Sequence, residues 1–429
     1  MQKIFYNARF LTMNKEQKFA DAMLTNDDAI VFVGEKQEVL QMKTDETKLV
    51  DLKGNFVVPA LFDLNLCIFE KIEDGLKNAN KTKFIEKDAE NDENYEVFSN
   101  YDIYKKEFLK IQEDFLKNGI TTIQENIVSK QEFVFWKKLA EEKVLKIDVI
   151  GYIDFTKNKQ IMDDNCRSYR KYKNGFRLGG YYLKVDGSIL EKKAWLKNPY
   201  PKEHKYSGFS EVVYEQLKFI IKTVLEEKKQ LVVYADGNKA VEEFLKCYED
   251  QIKESKVEDN FRPIVVGCNF ISKKSLKKMQ EFKIVPNYEI DNLTEYYDTL
   301  KSYFGSRKIK KMIPFKLKEN KNYLFSIRGN DSIDDFGFMK YFSCKKASKI
   351  IGKKHRPNVD DLLNTFITNA AYYSFDLEQK GSLESGKKAN FLVLDFDVYN
   401  AVENDKEINV LEVYSNAELI YKAKKNKDK

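Results

Sequence analysis

Histidine is almost missing from this chain: its 429 residues include two, His204 and His355. His204 lies in the loop-like run Pro199 to Ser207, and His355 in the polar Lys353-Lys354-His355-Arg356-Pro357. Neither has strand-end context, so a four-histidine metal centre is impossible in any register. Cysteine is sparse. Cys67, Cys166, Cys247, Cys268 and Cys344 are odd in number and widely spread, with no C-x-x-C pair, which fits reduced thiols better than a disulfide framework. Charge of one sign does not dominate, since the net charge is +6 although 33% of residues are charged. The basic tracts Arg307-Lys308-Ile309-Lys310-Lys311 and Lys422-Ala423-Lys424-Lys425 read as solvated surface. They lack a recognition motif or interleaved aromatics, so no nucleic-acid partner is expected. No window approaches the ~20 apolar residues of a membrane helix. Met1 to Asn7 does not open a signal-like apolar run. The expectation is a soluble cytoplasmic protein with no membrane contact.

What is present is enough for a large core: 42% of residues are hydrophobic and 14% aromatic. Residues 1–58 alternate short β-like runs with turns, among them Ile4-Phe5-Tyr6, Ala29 to Gly34, and Lys48 to Leu52 before the turn-like Lys53-Gly54-Asn55. Charged, weakly periodic sequence from about 70 to 100 reads as a loop or lid insertion. Tyr104, Phe108, Ile111, Phe115 and Leu116 then share one helical face, closed by Asn118-Gly119. Ile120 to Ile123, Val144 to Ile153 and Phe282 to Asn287 read as strands, and the runs Gln230 to Val241 and Ile264 to Ser272 lie among them. Helices are expected between them: Lys130 to Glu142, one capped by Ser210 with the stripe Val213, Leu217, Ile220, Ile221, Val224 and Leu225, and Asp360 to Tyr372. About eight such βα units would close as a TIM-like (β/α)8 barrel. The expected domains are therefore a barrel over 59–373 and a composite β-sandwich built from both chain ends, 1–58 and 374–429.

The stretch Phe56-Val57-Val58-Pro59-Ala60-Leu61-Phe62-Asp63-Leu64-Asn65-Leu66-Cys67 resembles the first barrel strand of the amidohydrolase superfamily, V-x-P-G-F-I-D-x-H-x-H. Leu178-Gly179-Gly180-Tyr181-Tyr182-Leu183-Lys184-Val185-Asp186-Gly187-Ser188 resembles G-G-x-K-I-F-A-D-G-S of the family-3 branch, which contains N-substituted formamide deformylase. Gln230 to Val241 resembles Q-V-A-I-H-A-I-G-D-R-A-V, and Ile264 to Ser272 resembles R-I-E-H-A-Q-L-V-S. Tyr323 to Asp331 resembles V-A-L-G-S-D at the last metal-proximal strand. Lys380 to Asp395 resembles K-G-S-I-E-P-G-K-x-A-D-F-V-V-L-D. The series runs in order along nearly the whole chain.

The resemblance implies hydrolysis of carbon–nitrogen bonds other than peptide bonds, assisted by a metal at the barrel mouth. It places the family's ligand positions at Asn65, Cys67, Tyr182, Tyr234, Gly267 and Asp331. The family has His, His, a lysine that can be carbamylated, His, His and an acid–base Asp there, and only Asp331 is of the family type. Lys184, two residues beyond the lysine position, shares its strand face. The expectation is no metal and no cofactor. Asp331 reads either as a retained carboxylate or as a relic capping a turn. Cys67 reads as a small buried thiol or a nucleophile, and Tyr182 and Tyr234 as cavity fillers or pocket walls. The leading functional expectation is a family member without the metal site, non-catalytic or altered in function. Its rivals are a C–N hydrolase working atypically through Asp331 with Lys184 or Cys67, and a structural subunit assembled with an active homologue. Whether the protein is an enzyme stays open at this point. So do a small-molecule ligand at the barrel mouth and a homo-oligomer.

Overall fold

The computed structural model describes residues 1–64, 67–78, 96–201, 203, 205–255, 260–289, 296–309, 324–328, 358–404 and 406–424. Fifteen strands make two sheets among these residues. The first sheet uses both ends of the chain: β1 (Gln2–Leu11), β2 (Phe19–Asn26), β3 (Ala29–Gly34) and β4 (Lys48–Pro59) from one end. The second sheet supplies β5 (Leu61–Asp63), β6 (Ile120–Ile127), β7 (Asp148–Asp154), β8 (Phe176–Lys184), β9 (Gln230–Ala235), β10 (Ile264–Gly267), β11 (Val285–Glu289) and β12 (Ser326–Arg328). The chain then returns to the first sheet through β13 (Phe391–Leu394), β14 (Val410–Ser415) and β15 (Glu418–Lys422). The first sheet runs β15-β14-β13-β4-β1-β2-β3, so β13 from the C-terminal end pairs antiparallel with β4. The aromatic side chains agree with that order: Phe391 stacks on Tyr414 at 4.5 Å between centroids and meets Phe5 edge-on at 4.9 Å.

The eight strands β5 to β12 lie side by side in chain order and all parallel, the curled sheet of a TIM-like barrel. Parallel neighbours need a crossover, and helices supply it outside the sheet. Side-chain alternation sorts the strands: Val232 and Tyr234, Ile150 and Tyr152, and Ile264 and Val266 face a buried inner cluster. Leu231 and Val233, Val149 and Ile153, and Val265 face the outer core shared with the helices. Between the ends of the sheet, the Asn287 amide on β11 donates to the Leu64 carbonyl beyond β5 at 3.3 Å.

The base of the barrel, where the strands begin, is sealed by the helix Thr368–Tyr373 and the residues after it. Gln124, Tyr152 and Gln230 point inward there. The Tyr152 hydroxyl donates to Gln230 at 2.8 Å, and the Gln230 amide donates to the Tyr373 carbonyl at 2.8 Å. Arg177 donates to the Ser374 carbonyl and pairs with Asp376 at 3.1 Å. Tyr172 donates to Asp376 at 2.8 Å, while Lys380 is paired with Asp148 and lies 3.6 Å from Asp376. Burial works to raise the Asp376 carboxyl, but the Lys380 and Arg177 charges and hydrogen bonds from Tyr172 and Arg177 more than reverse this.

Several expected boundaries differ in the structure. Lys53-Gly54-Asn55 is not a turn but a bulge within β4, where the β1 partner jumps from Asp51 opposite Tyr6 to Asn55 opposite Ala8. The chain leaves the small sheet at Pro59, so the run from Phe56 to Asp63 contributes to both sheets. The loop or lid expected over 70–100 begins instead as the amphipathic helix Ile68–Asn78, whose Ile68, Ile72 and Leu76 are buried. The next helix, Glu96–Lys117, starts before residue 100, and 79–95 lie outside the described residues. Ser210 caps no helix: its hydroxyl bonds the Val185 and Val212 carbonyls, and the helix Tyr214–Glu226 starts after Val213 without a side-chain cap. The helix expected over 360–372 is broken at Ile367 (φ −119°, ψ −83°) into Val359–Phe366, with a capping box at Asn358, and Thr368–Tyr373.

Two outcomes test this account. Asp376→Asn leaves Arg177 and Lys380 short of a buried counter-charge and should cost about 3–5 kcal/mol in denaturant unfolding; a cost under about 1 kcal/mol would show that the base does not depend on the ion pairs. Phe391→Ala should cost about 3–5 kcal/mol and accelerate amide exchange in residues 2–11 as well as 391–394, as one shared core requires.

Candidate functional site at the barrel mouth

In this architecture chemistry belongs at the strand C-termini, and Tyr182, Lys184, Tyr234 and Gly267 lie toward those ends of β8, β9 and β10. Tyr182 on β8 and Tyr234 on β9 point into the barrel and pack with Phe62, Leu64, Val232 and Val266. Tyr182 is 8% exposed. Lys184 stands beside Tyr234 in the β8–β9 register, but its ammonium lies 2.9 Å from Glu211 on a side chain that is 46% exposed. Gly267 ends β10 at φ +92°, and Cys268 follows at φ +43°. These left-handed residues break the inward–outward alternation, and Cys268 joins the outer core. Burial, with the charges of Asp236 and Glu289, pushes its thiol well above the usual range, which keeps it neutral. Half-buried Cys67 precedes the helix Ile68–Asn78. The first amides of that helix, Ile68 and Phe69, donate at 2.7 and 3.1 Å to buried Glu125, so its N-terminus already has a carboxyl acceptor, one that burial and the Glu132 charge push well above the usual carboxylate range. Asn65, Asp331, His204 and His355 lie outside the described residues.

Sequence reasoning left unweighed two Asp-Gly pairs, Asp186-Gly187 and Asp236-Gly237, although the dipeptide recurs just past two consecutive barrel strands. Asp186 is fully buried and accepts three backbone N–H groups: Asp236 at 2.8 Å, Gly237 at 2.9 Å and Trp195 at 2.7 Å. Glycine is required at 237, because a Cβ there would stand 2.1 Å from the Trp195 carbonyl. Asp236, also fully buried, accepts from the Ile189 N–H at 2.8 Å and from the Asn269 amide. These carboxylates thus order the segment between β8 and the following helix across the mouth.

Burial raises the Asp186 carboxyl to about 6 against the three N–H bonds that favour its charged form. Burial, then the charges of Glu289 and Asp186, raises Asp236 to about 8. The amide oxygen of Asn269 has no partner. A neutral Asp236 gives it a donor once the amide is turned over, a choice that hydrogen bonding decides.

Among the described residues, the side chains at the expected ligand positions do not fit a dication. Tyr182 and Tyr234 place rings in an apolar cluster, and Gly267 has no side chain. Among the described residues, no group of three or more His, Cys, Asp or Glu side chains is placed to hold a metal ion. No helix among them is long and apolar enough to cross a membrane.

A family model described as "Amidohydrolase family" matches residues 100–421. Protein LONG AFTER FAR-RED 3 of Arabidopsis thaliana is 24% identical over 254 residues, spanning 57% of this chain and 43% of that protein. An uncharacterized metal-dependent hydrolase from Pyrococcus furiosus superposes with a TM-score of 0.76 at 16% identity, over 93% of this chain and 100% of that one. E. coli guanine deaminase superposes with a TM-score of 0.61 at 13% identity, over 99% and 100%.

Asp236 generates a pH prediction. Its folded-state value lies above the ordinary 3.8, so the folded protein keeps a proton that the unfolded chain releases. Stability from this site is therefore full at low pH and falls as pH rises from about 4 to about 8. Asp236→Asn should flatten Tm against pH across that window; an unchanged slope would assign the effect to other groups.

Proposed function

This chain belongs to the amidohydrolase family, and from that premise we propose that it is a divergent member that has lost the metal-binding histidines and serves as a non-catalytic or altered-function paralogue. One observation carries this reading: the rings of Tyr182 and Tyr234 fill the barrel interior at positions where the family's pattern has ligands. Metal-assisted hydrolysis needs several convergent donors that hold a Lewis acid and lower the pKa of its water. The pair of tyrosines, Gly267, and a chain with only two histidines argue against that chemistry here. A tightly packed interior also tolerates few voids, so large rings are the expected occupants of a vacated ligand cage.

The rival hydrolase reading needs Asp331 to work with Lys184 or Cys67. The Lys184–Glu211 ion pair weighs against the first partnership, since it turns the ammonium toward a surface carboxylate. Activity named for the similar solved structures belongs to those proteins, because a likeness at that identity carries the fold alone.

Purified protein is expected to hold much less than one zinc, iron or manganese per chain by elemental analysis. Asp331→Asn should change stability by less than about 1 kcal/mol, with no turnover of formamides, cyclic amides or ureas by either form. Hydrolysis by the wild type that disappears in Asp331→Asn would overturn the proposal and favour the hydrolase reading. Purification at fixed stoichiometry with an active homologue would favour the structural-subunit reading instead.

A further inference from the structure

At the opposite end of the barrel, three cations alternate with three aromatic rings. The Lys229 ammonium lies 4.0 Å from the Tyr169 ring centroid, and the Arg170 guanidinium lies 4.8 Å from the same centroid. Arg170 also stands 3.3 Å from the centroid of Phe375, and Arg262 stands 4.3 Å from that centroid and 3.8 Å from Tyr372. The two guanidinium groups share one ring, so they are no farther apart than the sum of their distances to it. Lys229 directly precedes β9 and Arg262 shortly precedes β10, which puts the ladder at the strand N-termini, away from the mouth.

Like charges held this close repel unless an anion lies among them. Burial, then the charges of Arg177 and Arg262, depresses Arg170, and burial with the Arg170 charge depresses Lys229. No ion pair joins any of the three to a carboxylate among the described residues. The nearby carboxylates are committed elsewhere: Asp376 to Arg177 and Lys380, and Asp163 and Glu227 to Lys159. The Nε groups of Arg170 and Arg262 are buried without a hydrogen-bond partner, although an arginine donor in such a place ordinarily has one. Arg170, Arg262 and Phe375 all hold left-handed backbone, at φ +56°, +47° and +59°. Such conformations persist where the surroundings over-determine them, and they cluster at ligand sites. Stacking fixes each guanidinium plane; Arg262 Nη1 donates to the Tyr372 carbonyl at 2.6 Å, and the remaining edge donors of the two guanidinium groups are left for a ligand.

We propose that Arg170, Arg262 and Lys229 form an anion-binding site at the barrel base that takes a phosphate group, free or carried by a small molecule. Three cations without a carboxylate partner among the described residues suit a dianion better than a single carboxylate, and planar guanidinium edges match phosphate oxygens two at a time. The site is separate from the mouth and does not depend on whether the mouth is catalytic.

Inorganic phosphate titrated into the full chain at constant ionic strength, with chloride as the control salt, should bind saturably by calorimetry and raise Tm. Arg170→Gln and Lys229→Gln should each weaken that binding roughly tenfold or more. Lys229 is the more exposed side chain and makes no ion pair, so its variant reads out binding even if Arg170→Gln folds poorly. A response to phosphate no different from chloride, or binding unchanged in both variants, would overturn the proposal. Binding of a single-stranded oligonucleotide that phosphate does not displace would overturn it in favour of a nucleic-acid surface.

Discussion

Beneath the barrel two buried cations, Arg177 and Lys380, meet the buried carboxylate Asp376, and the closure of the base depends on that balance. Charges removed from water are tolerable only when paired and hydrogen-bonded, and Asp148, Tyr172 and the Ser374 carbonyl supply most of those partners, with the Arg177 Nε left without one. The pairs tie β7 and β8 to residues that follow the last barrel helix, more than 190 positions away for Arg177 and Asp376. They also set where the chain leaves the barrel for β13 and hence how both chain ends meet in one sheet.

The two ends of the barrel solve different problems. At the mouth, Asp186 and Asp236 spend their oxygens on backbone N–H groups and organise a long segment, while tyrosines occupy the interior. At the base, opposite charges seal the interior, and outside that seal a row of cations rests on aromatic faces with no carboxylates of its own. In this fold the mouth ordinarily carries chemistry and the base stability. Here the mouth holds packed rings, and the base holds cations that form no ion pair among the described residues.

Much of the scaffold was legible because its signals are local. The helix face through Phe108, Ile111, Phe115 and Leu116, the left-handed Gly119 that closes it, and the strand that follows at Ile120 are legible from periodicity and from glycine's backbone freedom. The reading failed where a long-range partner decides. Lys53-Gly54 looks like a turn, but β1 lies alongside and makes it a bulge. Ser210 looks like a cap, but the Val185 carbonyl claims its hydroxyl. The helical pattern through Thr368 continues in sequence, yet the chain must bend at Ile367 to plug the base.

By itself the sequence determined that a four-histidine metal site cannot exist, since that depends on composition alone, and it marked the order of strands and helices. Only the tertiary structure decided which groups meet. Asp236 is an ordinary acid in the chain and becomes a largely neutral one when burial, Glu289 and Asp186 surround it. Arg170 sits in the aromatic–basic run Arg167-Ser168-Tyr169-Arg170-Lys171-Tyr172-Lys173, but Lys229 and Arg262 lie far from it in the sequence. Strand N-termini packed side by side bring them onto shared rings, because pairing between parallel strands places residues far apart in sequence within contact distance.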